Sequence, residues 1–398
     1  MEDLRQRLRE LPCGRRLLDA AAGMEGVHLV GGAVRDLLLG RTPRELDVVV
    51  EGDAGALAER LAGAAGGAAV VHERFGTATV RAPGGDCLWD LAAARAETYA
   101  RPGALPDVHP AGIEQDLGRR DVTVNTLALD LASGELRGAP HARDDLAAGR
   151  LRVLHDASFR DDPTRLWRVA RYAARLGFDL EAHTAQLARD AVRGGALETV
   201  SAARIGNELR LALAEPDPPA ALESAVALGL APWLTVDRPL TERALALLPA
   251  GEGRRDLLVL AAALAAPADA LLADLQFTAA ERAIVRAGRD TPPLDDAAAA
   301  LAPSELARAL RGRPVEAVAL AAARGGGVAA ARRWLQELRH VGLQITGDDL
   351  RAAGIAEGAD LGRRLQAVLD MRLDGALGAD RESQLAAALA LTPGAGAA

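Results

Sequence analysis

The spacing of apolar residues divides this chain into two unequal parts. In MEDLRQRLRELPCG, Leu4, Leu8 and Leu11 fall on one helix face, so residues 1 to about 26 predict a leading helix and a turn. From His28 to about Leu136, short apolar runs alternate with helical spacing. His28-Leu29-Val30 predicts a strand, Gly31-Gly32 a turn, and the pattern from Ala33 a helix. Leu46 to Val50 predicts a second strand and Gly52 to Leu61 a helix. Ala69 to Val80 predicts two strands around a turn, and Cys87 to Ala94 a further strand. Glu97 to Pro110, ETYARPGALPDVHP, carries the Pro and Gly content of a loop.

Helical spacing then takes over. The expected class is α+β: a mixed α/β head over residues 1–145, an all-helical neck over 146–215, and a helical body and tail over 216–398. The EPDPP stretch from Glu215 to Pro219 marks the start of the body. The last residues, TPGAGAA, are expected to be disordered.

At 398 residues the chain suits about two or three domains, and 49% hydrophobic residues supply a sizeable core. Aromatics are scarce and Ala, Leu and Gly abundant, which favours closely packed helices. Arginine carries all of the basic charge of Lys and Arg combined. A formal net charge of −8 argues against a general nucleic-acid binder, so any RNA contact must come from a local basic face. Cys13 and Cys87 match no metal or disulfide spacing, which makes a reducing cytoplasm the expected location. The longest apolar run, Leu257 to Ala268, is too short to span a bilayer, and the charged N-terminus is no signal peptide. A soluble protein is expected.

The chemistry concentrates between His28 and Asp47, HLVGGAVRDLLLGRTPRELD. Paired glycines let backbone approach a phosphate with no Cβ in the way, and the N–H groups of the following helix start face it. Glu45 and Asp47 are two apart, so on a strand they share a face. Adjacent carboxylates repel unless a cation lies between them, and hard oxygen donors beside phosphate indicate Mg2+.

The whole stretch resembles the signature of the class II tRNA nucleotidyltransferase and poly(A) polymerase family: Gly-Gly-x-Val-Arg-Asp, then Asp-x-Asp on the next strand. Glu45 stands where the family usually has the first Asp. A second match is Arg119-Arg120-Asp121, with Thr123 and Asn125 following in the family's spacing and Val122 replacing its usual Phe. Gly138 to Leu146 departs from the family, and only Asp145-Leu146 survives there, which predicts an altered turn. The resemblance implies a polymerase-β-like nucleotidyltransferase head. It would make Glu45 and Asp47 the catalytic, metal-holding pair, and would place Gly32, Arg35 and Arg120 on the nucleotide. A guanidinium suits phosphate because its fork donates two parallel hydrogen bonds.

Within Phe159 to Phe178, FRDDPTRLWRVARYAARLGF, Pro163 fits the first turn of a helix, with acids before it complementing the N-terminal end of the dipole. Asp162 and Arg165 are three apart and would share a face, with Arg168 and Arg171 continuing the spacing. A carboxylate accepts the amino hydrogen of cytosine or adenine while a guanidinium donates to the ring nitrogen. Uracil and guanine reverse that pattern, and a mismatched edge costs roughly 1–3 kcal/mol per unpaired group. The family carries Glu-Asp-x-x-Arg here against Asp161-Asp162-Pro163-Thr164-Arg165. The resemblance thus implies that Asp162 and Arg165 read the base, with Arg168 and Arg171 holding the nucleotide.

Three features stay open on sequence. Asp90 suits either a third carboxylate of a two-metal site or a solvated strand end. The loop from Glu97 to Pro110 suits either the family's mobile loop, which helps switch nucleotide choice, or a surface connection. Ile345 to Leu365 resembles a tail element of bacterial members and suits either RNA backbone contact or helix packing. The expected function is template-independent addition of CMP and AMP from CTP and ATP to the tRNA 3′ end. Family alternatives are CC-only or A-only addition, a poly(A) polymerase, or a tRNA-binding relative with impaired catalysis.

Overall fold

The computed structural model describes residues 4–72 and 76–392. Two compact units follow one another, residues 1–232 and 233–398. The turn expected between the strands of residues 69–80, and all but Thr392 of the terminal TPGAGAA, lie outside the described residues.

The first unit opens with α1 (Leu4–Glu10) and α2 (Pro12–Ala20), then β1 (Val27–Val30), α3 (Gly32–Leu38), β2 (Leu46–Val50) and α4 (Ala54–Ala65). Asp53 starts α4 by accepting the N–H groups of Gly55 and Ala56 at 2.8 and 3.2 Å. Next come β3 (Ala68–His72), β4 (Thr77–Arg81), β5 (Leu88–Ala93) and a hairpin of β6 (Arg95–Thr98) and β7 (Asp107–Pro110). After α5 (Ile113–Gly118), a 3-10 turn at Thr123–Asn125 leads to β8 (Ala128–Asp130) and β9 (Leu136–Arg137). The main sheet runs β3-β4-β5-β2-β1-β8-β9. Its β2–β5 pair is parallel, in the register Asp47 opposite Asp90. Strand centres such as Leu29, Val48 and Leu91 are buried and leave the strand ends to carry chemistry.

The helices α6 (Ala142–Ala147), α7 (Ser158–Asp161), α8 (Thr164–Leu176), α9 (Ala182–Arg193), α10 (Ala202–Leu213) and α11 (Pro218–Ala227), with a short parallel strand pair of Arg150–Leu151 and Asp179–Leu180 among them, complete this unit. Leu166, Trp167, Val169 and Ala170 seat α8 in the core with no exposed surface. The fold is α+β, as the apolar spacing predicts.

Two expectations fail. Cys13 and Cys87 form a disulfide between α2 and the start of β5. The pairing depends on how α2 lies against the sheet, which the 74-residue separation conceals. The inference of a reducing compartment loses its basis. Asp162 does not share a helix face with Arg165: it is extended, at φ −134° and ψ 95°, between α7 and α8, while Pro163 stands at the start of α8. Pro163 is the cause, since its ring disfavours helical backbone in the residue before it.

The second unit is all-helical, from Arg238–Leu245 to Arg381–Ala390. Its last three helices close around Ile345, Leu350, Val368 and Ala388. Within Ile345 to Leu365, Thr346 and Asp349 cap a helix start and buried Arg364 bonds to Asp360 and the Ala388 carbonyl. Among the described residues no helix is long and apolar enough to cross a membrane.

Candidate active site

One cleft of about 910 Å³ in the first unit is lined by Gly32, Arg35, Glu45, Asp47, Arg120, Asp162, Arg165, Arg168 and Arg171. The structure therefore gathers all nine expected site residues, sets Asp90 and Asn125 with them, and adds Tyr99.

At one end lie the carboxylates. Asp47 is on β2, Glu45 stands one residue before the strand, and Asp90 is beside Asp47 on β5. Asp90 Oδ1 accepts the Thr79 hydroxyl at 2.7 Å. Burial, then Glu45 and Asp90, push the Asp47 carboxyl up to about 6, against the opposing pull of Arg120 and Arg35. Carboxylates that raise one another's affinity for protons also favour a divalent cation. Among the described residues no three His, Cys, Asp or Glu side chains stand together as a metal-binding group. Magnesium fits the oxygen set nonetheless, because it is commonly held by one or two carboxylates with substrate phosphate completing its shell.

Beside them, Gly31 turns the chain into α3 at φ +63°, and a Cβ there would stand 2.7 Å from Arg120 Nη1. Glycine thus permits both the turn and the close passage of Arg120. Arg120 donates to Asp116 Oδ2 at 3.0 Å and to the Asn125 carbonyl at 3.3 Å. Buried Arg35 donates to Asp36 Oδ1 at 2.8 and 2.9 Å and to Asn125 Oδ1 at 2.7 Å. Asn125 Nδ2 donates to Asp121 Oδ1 at 3.1 Å, and Arg168 Nε and the Tyr172 hydroxyl donate to Asp121 Oδ2 at 2.7 and 3.0 Å. A continuous chain of hydrogen bonds therefore runs from α3 to α8. Burial alone would raise the Asp121 carboxyl, but Arg168 and the bonds from Asn125 and Tyr172 hold it well below the usual range.

At the other end, Arg165 donates to Ser158 Oγ at 2.8 Å and to the Arg119 carbonyl at 2.7 Å. Asp162 lies at the α7–α8 junction and accepts the Thr164 N–H and hydroxyl on Oδ1. Arg171 is buried, with Nη1 donating to Glu208 at 2.7 Å and Nε to Glu215 at 3.0 Å. Tyr99, from the β6–β7 loop, donates to Glu97 at 2.9 Å, and burial followed by Glu97 pushes its phenol up to about 12.

Residues 27–152 match the poly(A) polymerase head domain. The match is to the head alone, about a third of the chain. The chain is similar to an A-adding tRNA nucleotidyltransferase of Geobacter sulfurreducens, 42% identical over 56% of this chain and 26% of that protein. It is also similar to a CC-adding tRNA nucleotidyltransferase of Deinococcus radiodurans, 44% identical over 48% of this chain and 50% of that one. The chain thus spans half or less of the length of these curated relatives. Among solved structures it resembles the Thermotoga maritima CCA-adding enzyme in complex with tRNA, with a TM-score of 0.71, 28% identity and 98% of each chain covered.

Within the matched head, sequence reasoning left Asp90 open and passed over Tyr99. The apolar run around Asp90 shows a strand but not its neighbour. The parallel register with β2 is what brings Asp90 to Asp47.

Proposed function

We propose that the protein is a template-independent nucleotidyltransferase that adds CMP and AMP, from CTP and ATP, to the 3′ end of tRNA. The observation that carries this reading is a single cleft lined both by Glu45, Asp47 and Asp90, where burial and the acidic neighbours push the Asp47 carboxyl up, and by Asp162 and Arg165. The terminal 3′ hydroxyl oxygen bonds to the α-phosphorus of the nucleotide, the bond to pyrophosphate breaks, and the hydroxyl proton leaves with solvent. Glu45 and Asp47, with Asp90 beside them, would hold magnesium, which when bound lowers the pKa of the hydroxyl and neutralises the triphosphate. Gly31 and Gly32 admit the phosphates close to backbone, and Arg35 and Arg120 supply positive charge there. Asp162 accepts from the amino group of C or A, and Arg165 donates to the ring nitrogen.

A narrower reading, addition of A alone, draws support from the similarity to the A-adding relative over more than half of the chain. Both are tested with tRNA transcripts ending before CCA, after C and after CC, supplied with magnesium and CTP, ATP or both. Product lengths on a sequencing gel give the answer. Stepwise C, C and A on the matching ends establishes CCA addition. A alone, on the end already carrying CC, establishes the narrower activity. Long A tails point to a poly(A) polymerase. No extension with tRNA still bound in a salt-dependent manner overturns catalysis and directs attention to Glu45.

A further inference from the structure

Arg204, on α10, sits outside the roles given so far, yet it touches the base-reading carboxylate directly. Its Nη2 donates to Asp162 Oδ1 at 2.7 Å and its Nη1 to the Gly103 carbonyl at 3.0 Å. Asp162 Oδ1 also receives the Thr164 hydroxyl at 2.7 Å and the Thr164 N–H at 3.1 Å. Three donors thus converge on one oxygen. Among the described residues none donates to Oδ2, and Asp162 lines the cleft.

The far end of the bridge is equally fixed. Gly103 lies in the loop between β6 and β7, at φ +69°, and its N–H donates to the Asp161 carbonyl at 3.3 Å. A Cβ at Gly103 would stand 2.3 Å from Thr199 Oγ1 and 2.7 Å from the Thr199 carbonyl oxygen. The hairpin of the head therefore meets the neck through bare backbone, and Arg204 joins that contact to Asp162.

We infer that Arg204 is a specificity-determining positioning residue: it fixes which oxygen of Asp162 faces the base and ties that choice to the seating of the hairpin at Gly103. The inference rests on the reading of Asp162 as the base-reading carboxylate. A carboxylate anchored by three donors on Oδ1 cannot turn, so it shows the base one acceptor at one position. An amino group meets that acceptor, whereas the carbonyl of uracil or guanine meets it oxygen to oxygen and leaves two acceptors unpaired. Released from Arg204, the carboxylate can swing and let water bridge it to a carbonyl, so the penalty against the wrong base falls.

The test measures single-nucleotide incorporation of CTP, ATP, UTP and GTP on tRNA transcripts for wild type, Arg204→Met and Arg204→Lys, with melting temperatures alongside. Arg204→Met is expected to lower discrimination against UTP and GTP by about tenfold. The loss should come mostly from a lower KM for UTP and GTP, with kcat changing less. Lysine, which can still donate to Asp162, is expected to restore part of the discrimination. A merely structural role would move the melting temperature and leave the ratio of right to wrong nucleotide untouched. Should Arg204→Met fail to fold, Thr164→Val removes one donor from Oδ1, and Gly103→Ala unseats the hairpin without touching either side chain. Both are expected to lower discrimination in the same direction. Folded variants that all discriminate as wild type does would overturn the role of Arg204 alone. A wild type that extends tRNA equally well with all four nucleotides would overturn the reading of Asp162, and the inference with it.

Discussion

The two ends of the cleft are built on opposite electrostatic plans. At the proposed base-reading end Asp162 pairs with Arg204, Arg168 with Asp121, and Arg171 with Glu208 and Glu215, while Arg165 is held by the Ser158 hydroxyl and the Arg119 carbonyl. At the carboxylate end, burial and then Glu45 and Asp90 raise the proton affinity of Asp47. One end is preorganised by its own side chains, as discrimination between bases requires. At the other, Arg120 and Arg35 offset the effect of burial and the acidic neighbours on Asp47 only in part, as binding a cation with its substrate would require. On the proposed reading, side chains already anchored by hydrogen bonds would read the base, and carboxylates that raise one another's proton affinity would recruit the metal.

The sharpest way to break this contrast is Asp47→Asn. If Asp47 holds magnesium, incorporation is expected to fall about a thousandfold or more, equivalent to some 4 kcal/mol of transition-state stabilisation. Stability should move the other way. The folded carboxyl titrates at about 6 against an ordinary value of 3.8, so between those pH values the folded state binds more protons. Stability therefore falls as pH rises through that window, and above it the charge opposes folding. A neutral amide removes that cost, and metal-free Asp47→Asn is expected to melt above wild type at pH 8. A lower melting temperature with activity retained would refute both halves.

Arg171→Met probes the paired end. Removing the guanidinium leaves Glu208 and Glu215 buried without it, at a cost of about 3–5 kcal/mol of stability, readable by urea unfolding. The sequence suggests instead that Arg171 grips the nucleotide. A variant as stable as wild type whose KM for CTP and ATP rises together would favour that role over the structural one.

These outcomes bear on how much the sequence tells. Gly31-Gly32, Arg35, Glu45 and Asp47 were legible because the site's first half is local: a strand, a turn and a helix within twenty residues. Arg119-Arg120-Asp121 and Asn125 were legible through family spacing. What escaped depends on contacts distant in sequence. Asp90 joins Asp47 through strand register, and Cys13 finds Cys87 through the packing of α2. Arg204 meets Gly103 across 101 positions. The Asp162 junction was different, since its cause, Pro163, was in plain view. The residue before the proline had been placed inside the helix, although its backbone is the one that proline restricts.

The pH profile offers a gentler test of the unpaired end. With limiting nucleotide and low magnesium, activity is expected to fall about tenfold for each pH unit below about 6, where Asp47 takes up a proton. Magnesium competes with that proton for the same oxygens, so raising its concentration should move the acid limb to lower pH. A limb that stays fixed across magnesium concentrations would assign it to another group.

The smallest effect is expected from Glu45→Asp, which restores the family's usual residue at a site one position before β2. The shorter side chain withdraws the carboxylate by one methylene while keeping its charge. Because Glu45 lies outside the strand ladder, backbone there can yield to keep the oxygen near Asp47. Activity at saturating magnesium is therefore expected to stay within about threefold of wild type, with the difference appearing in the magnesium concentration giving half-maximal rate. Activity that rises more than tenfold would mean that Glu45 holds the metal in a poor position, and that the protein's principal work lies in binding tRNA. A rate that hardly changes would mean the cluster needs two negative charges at the mouth of β2 and tolerates either side chain to supply the first of them.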